Sequence, residues 1–256
     1  MSSILVPAPI VIPLIAAALS LLTRSRTAQR VGAVGAIAAI LGVSVALLVQ
    51  TRDAEHLVVN VGGWPAPFGI TLVVDAFAAL LLTISSLVLI CVLIYALSQG
   101  IPREREAIFT TSYLMLATGV NLAYITGDLF NLFVAVEITL AASYVLISLW
   151  TDARGIRNAM TYIVINLVAS TLLIIMIAIV YAATGTVNLA ELSERLADMP
   201  AHLTDALRVL FLLVFGIKAG LFPLFFWLPD AYPTALTPVT AIFAGLLTKV
   251  GVYAII

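Results

Sequence analysis

Charge is scarce in this chain. Only 10% of its 256 residues are Asp, Glu, Lys or Arg, where a soluble domain carries about 25%. With 63% hydrophobic residues and a mean hydropathy of +1.19, that deficit excludes an ordinary water-soluble fold. A bilayer is the solvent that suits such a composition. The formal net charge of −1 leaves no basic patch, which excludes nucleic acid as a partner. Cysteine is nearly absent: the single Cys91 lies in an apolar run and reads as a small packing residue. Neither a disulfide framework nor a cysteine-held iron–sulfur cluster can be built within the chain. Histidine is as rare, and His56 and His202 both fall in polar loops, so no intramembrane pair is available for haem. No Walker loop, dinucleotide fingerprint, His-Glu-x-x-His or nucleophile elbow occurs, which speaks against a hydrolase or a kinase. The expectation is no catalytic set, no metal site and no cofactor, with any redox chemistry located on other subunits.

What is present is a series of apolar runs of spanning length, about 17–25 residues. They predict helices near 4–22, 31–49, 75–97, 107–126, 128–150, 158–182, 206–231 and 238–256. The predicted fold is an all-α polytopic membrane protein, a transmembrane helix bundle with a broken helix seven and a small outside β-hairpin. The whole of 1–256 reads as a single membrane domain. The first run has no basic region ahead of it; Arg24, Arg26 and Arg30 follow it, so it is expected to be a retained helix rather than a signal peptide. Short loops holding Arg24, Arg26, Arg30, Arg103, Arg105, Arg154 and Arg157 lie on one side. Arg52, Arg195 and Arg208 lie on the other. The positive-inside rule then puts the N-terminus outside the cell.

Two loops on the outside face carry structure signals. Leu57–Val61 and Ile70–Val74 flank the turn-rich Gly62-Gly63-Trp64-Pro65-Ala66-Pro67 and predict two paired strands. Asn188–Met199 sets Leu189, Leu192, Leu196 and Met199 on one helical face against Glu191, Glu194, Arg195 and Asp198, with Asn188 and Glu191 spaced like a capping box. This reads as a short helix packed at the membrane surface.

Against this background three ionisable residues stand out: Glu137, Lys218 and Lys249. The last two are the only lysines of the chain. Glu137 lies nine residues past Asp128, about 13–14 Å into its predicted helix. Counted from Ala206 and Pro238, Lys218 and Lys249 lie about 16–18 Å into theirs. All three fall near the midplane of a core about 30 Å thick, where an ionisable group marks a pathway unless it only ties helices together. Lysine can lose its proton when buried and arginine cannot, so the residue type is informative. One carboxylate and two amines read as a proton or cation relay: a Glu137–Lys218 contact would hold Lys218 charged, and separation would let it pass a proton through water to Lys249.

The run after Lys218 is rich in proline. Pro223 and Pro229 are the candidate helix break, since proline removes a backbone donor; Pro233 and Pro238 follow in a loop. Such breaks sit beside ion sites in transporters. Ser143, Tyr144, Asn166, Ser170 and Thr171 are further polar candidates for a water path, although such side chains more often bond a neighbouring helix. Asp128 could guard an outside entrance; capping its helix is the alternative role, as it is for Asp75 and Asp230 at other helix ends.

These residues carry a resemblance. Thr126-Gly127-Asp128-Leu129-Phe130-Asn131-Leu132-Phe133-Val134-Ala135-Val136-Glu137 resembles the helix-five motif of the D subunits of Mrp-type multisubunit Na+/H+ antiporters. Lys218-Ala219-Gly220-Leu221-Phe222-Pro223-Leu224-Phe225-Phe226-Trp227-Leu228-Pro229 is similar to that family's helix seven. Gly245-Leu246-Leu247-Thr248-Lys249-Val250-Gly251-Val252-Tyr253-Ala254-Ile255 is similar to its helix eight, and Gly63–Ile70 to its outside hairpin. The family is related to the proton-pumping subunits of respiratory complex I. The resemblance implies that Glu137 modulates Lys218, that Lys218 is the central proton carrier and that Lys249 is the next relay group. It also implies a bacterial cell-membrane complex with other membrane subunits as partners, exchanging external protons for internal Na+ in pH homeostasis. Family members carry a second, inverted helical unit, so the expectation is a truncated chain. No cluster of oxygen ligands for Na+ stands out in the sequence, so the cation path is expected in a partner subunit. The alternative readings are a proton-pumping subunit of a quinone-linked NADH dehydrogenase or hydrogenase complex, and a passive scaffold.

Overall fold

The computed structural model describes residues 2–52, 56–150 and 153–256. A short α1 (Ser2–Leu5) precedes α2 (Ala8–Leu22) and α3 (Arg26–Gln50). Strands β1 (His56–Asn60) and β2 (Thr71–Asp75) follow, then α4 (Ala76–Ser98), α5 (Arg103–Ile125), α6 (Leu129–Ser148) and α7 (Ala153–Thr184). The remaining helices are α8 (Leu189–Ala197), α9 (Ala201–Ala219), α10 (Leu228–Ala231), α11 (Thr237–Ile242) and α12 (Thr248–Ile255), the last two joined by a π-helical turn at Phe243–Leu247.

Capping residues set the starts of several helices. Asp75 accepts a hydrogen bond from the Ala78 N–H and Asp128 one from the Asn131 N–H, each at 2.7 Å, satisfying donors that a helix start leaves orphaned. Ser25 does the same for α3, and Asn188 accepts from Ala190 and Glu191 at the start of α8. α3 and α5 begin before their apolar runs do, at Arg26 and Arg103, because polar first turns reach out of the membrane.

Among the described residues, six helices are long and apolar enough to cross a membrane: α3, α4, α5, α6, α7 and the joined α11–α12. Two of the eight expected spans differ. α2 has 15 residues and is about 22 Å long, shorter than a hydrocarbon core. The run expected as one helix over 206–231 is divided, and α9 carries Asp205, Arg208 and Lys218 in its 19 residues.

α5 is the axis of the bundle. Its apolar window is 83% buried, against 33% in α3 and 39% in α4 and α7. This explains its polar composition: Thr110, Thr118 and Asn121 face protein and need partners there rather than lipid. α2 and α6 pack directly on it, α3 lies against α4, and α7, α9 and α12 form the other flank. Gly119 lets α5 and α6 approach closely, since a Cβ there would sit 2.7 Å from the Thr139 nitrogen and 2.8 Å from the Ala135 oxygen.

Prolines inside α2 have a consequence for α5. Pro13 offers no N–H to the Pro9 carbonyl one turn earlier. The Asn121 side chain donates to that carbonyl at 2.8 Å, joining residues 112 apart. At one end of the bundle Glu106, 1% exposed, is paired with both Arg26 and Arg30 and so ties α5 to α3. The sequence assigned these arginines only to membrane orientation.

At the opposite end a backbone plate joins the crossovers. β1 and β2 pair antiparallel from His56 opposite Asp75 to Asn60 opposite Thr71, each strand displaced by one residue from the expected one. Leu72 bridges to Thr126, and Asp128 to Asn188. The Gly127 N–H donates to Thr71 O at 2.8 Å and the Leu129 N–H to Val187 O at 2.8 Å. The amphipathic α8 lies alongside, with Leu192 buried and Glu191 3.7 Å from Arg195.

Candidate functional site

Lys218 stands in the last turn of α9 and is 7% exposed. The helix ends directly after it. Gly220 adopts a left-handed conformation with φ of 68°, and the Leu221 N–H turns back to Gly216 O at 2.9 Å. The break therefore precedes Pro223. The segment 221–227 is a run of turns, and Pro229 lies in the first turn of α10, where its missing donor costs nothing. A helix C-terminus carries partial negative charge, which favours an ammonium in its last turn. Trp227 folds back from beyond the break, 1% exposed, and donates to Ile217 O at 3.1 Å, a carbonyl at the helix end that also accepts the Gly220 N–H at 3.2 Å.

The Lys218 Nζ donates to the Ser170 hydroxyl at 3.1 Å. Ser170 belongs to a row on α7 spaced by four residues, Tyr162, Asn166 and Ser170, which is one face of a helix over about 12 Å. All three are buried. Asn166 donates to Tyr162 O at 2.9 Å, and the Tyr162 hydroxyl lies 2.7 Å from that of Ser143 on α6. Tyr162 is enclosed by Trp227 and Phe243, with ring centroids at 5.4 and 5.8 Å. Lys218, Tyr162, Asn166 and Thr139 line a cavity of about 20 Å³, room for one water with polar partners on its wall.

Glu137 is half-buried on α6. Its Oε1 is shielded from solvent and has no hydrogen-bond partner among the described residues. No ion pair joins it to Lys218, although the two charges act on one another electrostatically. The structure thus leaves Glu137 and Lys218 without a direct ion pair.

Lys249 is not brought to them. It is exposed and donates to Ala244 O, a carbonyl of the π-helical turn, at 2.6 Å. The reason is helical phase. Gly251, two residues on, abuts the end of α9: a Cβ there would lie 2.6 Å from the Ala219 nitrogen and 2.9 Å from the Lys218 carbonyl carbon. Two residues turn a helix by about 200°, so the face that meets Lys218 is nearly opposite the one that carries Lys249.

The other candidates divide. Ser143, Asn166 and Ser170 join the buried row. Thr171 is exposed and bonds its own backbone at Leu167 O. Asp128 caps α6; burial pushes its carboxyl above the ordinary range, opposed by hydrogen bonds from the Asn131 and Phe130 N–H groups. Sequence reasoning missed Tyr162, Trp227 and Gly251. The four-residue spacing of Tyr162, Asn166 and Ser170 was the available signal for the first.

Comparison with known proteins follows this geometry. Residues 126–256 match the family described as NADH:quinone oxidoreductase/Mrp antiporter, TM. The D subunit of the Na+/H+ antiporter of Alkalihalophilus pseudofirmus is 43% identical over 254 residues, which are 98% of this chain and 51% of that protein. Its Bacillus subtilis counterpart is 41% identical over 96% of this chain and 50% of its own length. Among solved structures, the Mrp complex from a Dietzia species superposes with a TM-score of 0.89 at 32% identity, over 99% of this chain and 48% of that one. The membrane-bound sulfane sulfur reductase, an archaeal respiratory membrane complex, gives 0.89 at 27% identity, over 99% and 52%. The chain spans about half the length of the curated relatives it matches.

Proposed function

This chain belongs to the NADH:quinone oxidoreductase/Mrp antiporter transmembrane family, and on that premise we propose that it is a proton-translocating part of a multisubunit cation/proton antiporter. Lys218 is the central carrier. Glu137 modulates it from α6, and the Ser170–Asn166–Tyr162–Ser143 row with its water-sized cavity supplies the wet surroundings that proton movement needs. Lys249 is the next relay group; its outward face requires a neighbouring protein surface, because an ammonium at mid-membrane does not face lipid. The partners are further membrane subunits, the transported ions are H+ and Na+, and the setting is a bacterial cell membrane with the N-terminus outside.

One observation carries this reading: a buried amine at a helix break, held by a hydroxyl and lacking a carboxylate partner, with a carboxylate on α6 whose shielded Oε1 is unpartnered and whose charge acts on it. A structural tie would be a closed ion pair. The test uses the assembled complex in everted vesicles, with Na+-dependent pH change followed after the electron donor is withdrawn. Exchange that is lost in an assembled Glu137→Ala complex supports the relay. Unchanged exchange leaves a scaffold.

The likeness to a respiratory membrane complex favours a second reading, a proton-pumping subunit of an oxidoreductase. That reading requires proton movement to stop whenever the electron donor is absent.

A further inference from the structure

Tyr232 is a buried tyrosine that the relay above does not use. It directly follows α10, beyond the helix break from Lys218, and is 9% exposed. Two bonds fasten it to the helix that comes next. The Thr240 hydroxyl donates to Tyr232 O at 2.7 Å, and the Tyr232 hydroxyl donates to Phe243 O at 3.1 Å. Phe243 is the first residue of the π-helical turn between α11 and α12. The next carbonyl of that turn, Ala244 O, accepts from the Lys249 Nζ at 2.6 Å, and the Thr248 hydroxyl lies 3.4 Å from the same amine. Two adjacent carbonyls of one turn therefore hold two side chains, a tyrosine and a candidate relay lysine.

The form of the turn explains why its carbonyls take side-chain donors. An α-helix bonds each carbonyl to the N–H four residues on, and a π turn moves that bond to the fifth. A carbonyl at the shift loses its ordinary N–H and is open to another donor. Tyr232 reaches Phe243 O from the buried side, and Lys249 reaches Ala244 O from the exposed side. Tightening of the turn into α-helix would return a main-chain donor to Ala244 O and displace the amine. We propose that Tyr232 is a positioning residue for Lys249: its bond to Phe243 O keeps the π turn open, and the open turn supplies the acceptor that holds the Lys249 amine. Ring contacts lead from the same tyrosine back to Lys218. The Tyr232 ring meets that of Trp227 edge-on with centroids 5.9 Å apart, and Trp227 donates to the carbonyl of Ile217, the residue before Lys218. Tyr232 thus stands between the end of α9 and the turn that anchors Lys249. This inference rests on the reading of Lys249 as a relay group.

The test is Tyr232→Phe in the full-length protein within its complex. The ring stays between Trp227 and Phe243, and only the donor is removed. With lysine labelled at its side-chain nitrogen, solid-state NMR of the complex identifies the Lys249 signal as the one that Lys249→Arg deletes. In Tyr232→Phe that signal is expected to move, and exchange to fall by about three- to tenfold, the scale of one uncharged hydrogen bond. The analogue 4-aminophenylalanine at position 232 restores a donor on the same ring and is expected to keep both close to the parent. An unmoved Lys249 signal in an assembled Tyr232→Phe complex overturns the proposal and leaves Tyr232 a packing residue. A complex that assembles with the analogue but loses the parent position of the signal overturns it as well. Exchange that survives Lys249→Gln while the signal still moves in Tyr232→Phe defeats the relay reading and leaves the positioning bond standing, so the two failures are distinguishable.

Discussion

Replacing Gly251 with alanine tests the contact that sets the phase of α12 against Lys218. The added Cβ would lie 2.6 Å from the Ala219 nitrogen and 2.9 Å from both the Ala219 Cα and the Lys218 carbonyl carbon. These are main-chain atoms at a helix end and cannot swing aside as a side chain would. One helix must retreat, and overpacking of this kind costs about 1–3 kcal/mol. Alanine in a helix gains about 1 kcal/mol over glycine by propensity, so the two effects oppose one another. Gly42 in α3 supplies the control: nothing lies within 4 Å of its added Cβ, so Gly42→Ala keeps the propensity gain alone. The difference between the two variants isolates the packing effect. Thermal stability of the detergent-solubilised complex, read by size-exclusion after heating, measures it. Gly251→Ala is expected to melt below Gly42→Ala and to lose exchange, because displacement of the α9 end draws Lys218 from Ser170. Equal melting temperatures with full exchange would refute the claim that this contact sets the position of Lys218.

Asn121→Ala leaves the Pro9 carbonyl unpaired and should cost about 1–3 kcal/mol, seen as a lower melting temperature. In a Pro13→Ala background the backbone supplies its own donor, and the same change should cost less; additive losses would disprove the link. Glu106→Gln removes a buried charge that two half-exposed arginines share, leaving those arginines free to reach water. It should therefore destabilise less than Glu106→Leu, which also removes the hydrogen-bond acceptors. Ser170→Ala deletes the hydroxyl on Lys218 and is expected to slow exchange by about tenfold with assembly intact on native gels.

The legible parts of the fold were those written in local pattern. The stretches Leu57–Val61 and Ile70–Val74 around a turn rich in glycine and proline gave the hairpin, the apolar face of Leu189, Leu192 and Leu196 gave α8, and the long runs gave the crossing helices. Within the site, the residue types at Glu137, Lys218, Ser143, Asn166 and Ser170 singled them out, because polar groups in apolar helices are conspicuous. What stayed hidden depends on neighbours far away in sequence. Proline drew the expected break toward Pro223, whereas Gly220 ends the helix earlier through its left-handed conformation. The outward direction of Lys249 follows from Gly251 seating against Ala219, a fact of packing that no single helix pattern records. The Arg30–Glu106 pair joins residues 76 apart, and a charge at a helix end is equally compatible with water.

The two ends of this bundle are fastened by different means. Near the hairpin the crossovers are knitted main chain to main chain through Thr71, Gly127, Val187 and Leu189. At the other end the fastenings are long side chains, Arg26 and Arg30 on Glu106 and Arg105 on Leu149 O. Main-chain bonds fix both distance and angle, while an arginine can rotate through its rotamers and keep its grip. The bundle is then mechanically a set of levers with the fulcrum at the hairpin end. A small tilt between α5 and α6 would then open the arginine end most, where Arg105 can follow Leu149 O through its rotamers, and would leave the main-chain bonds near the hairpin unbroken.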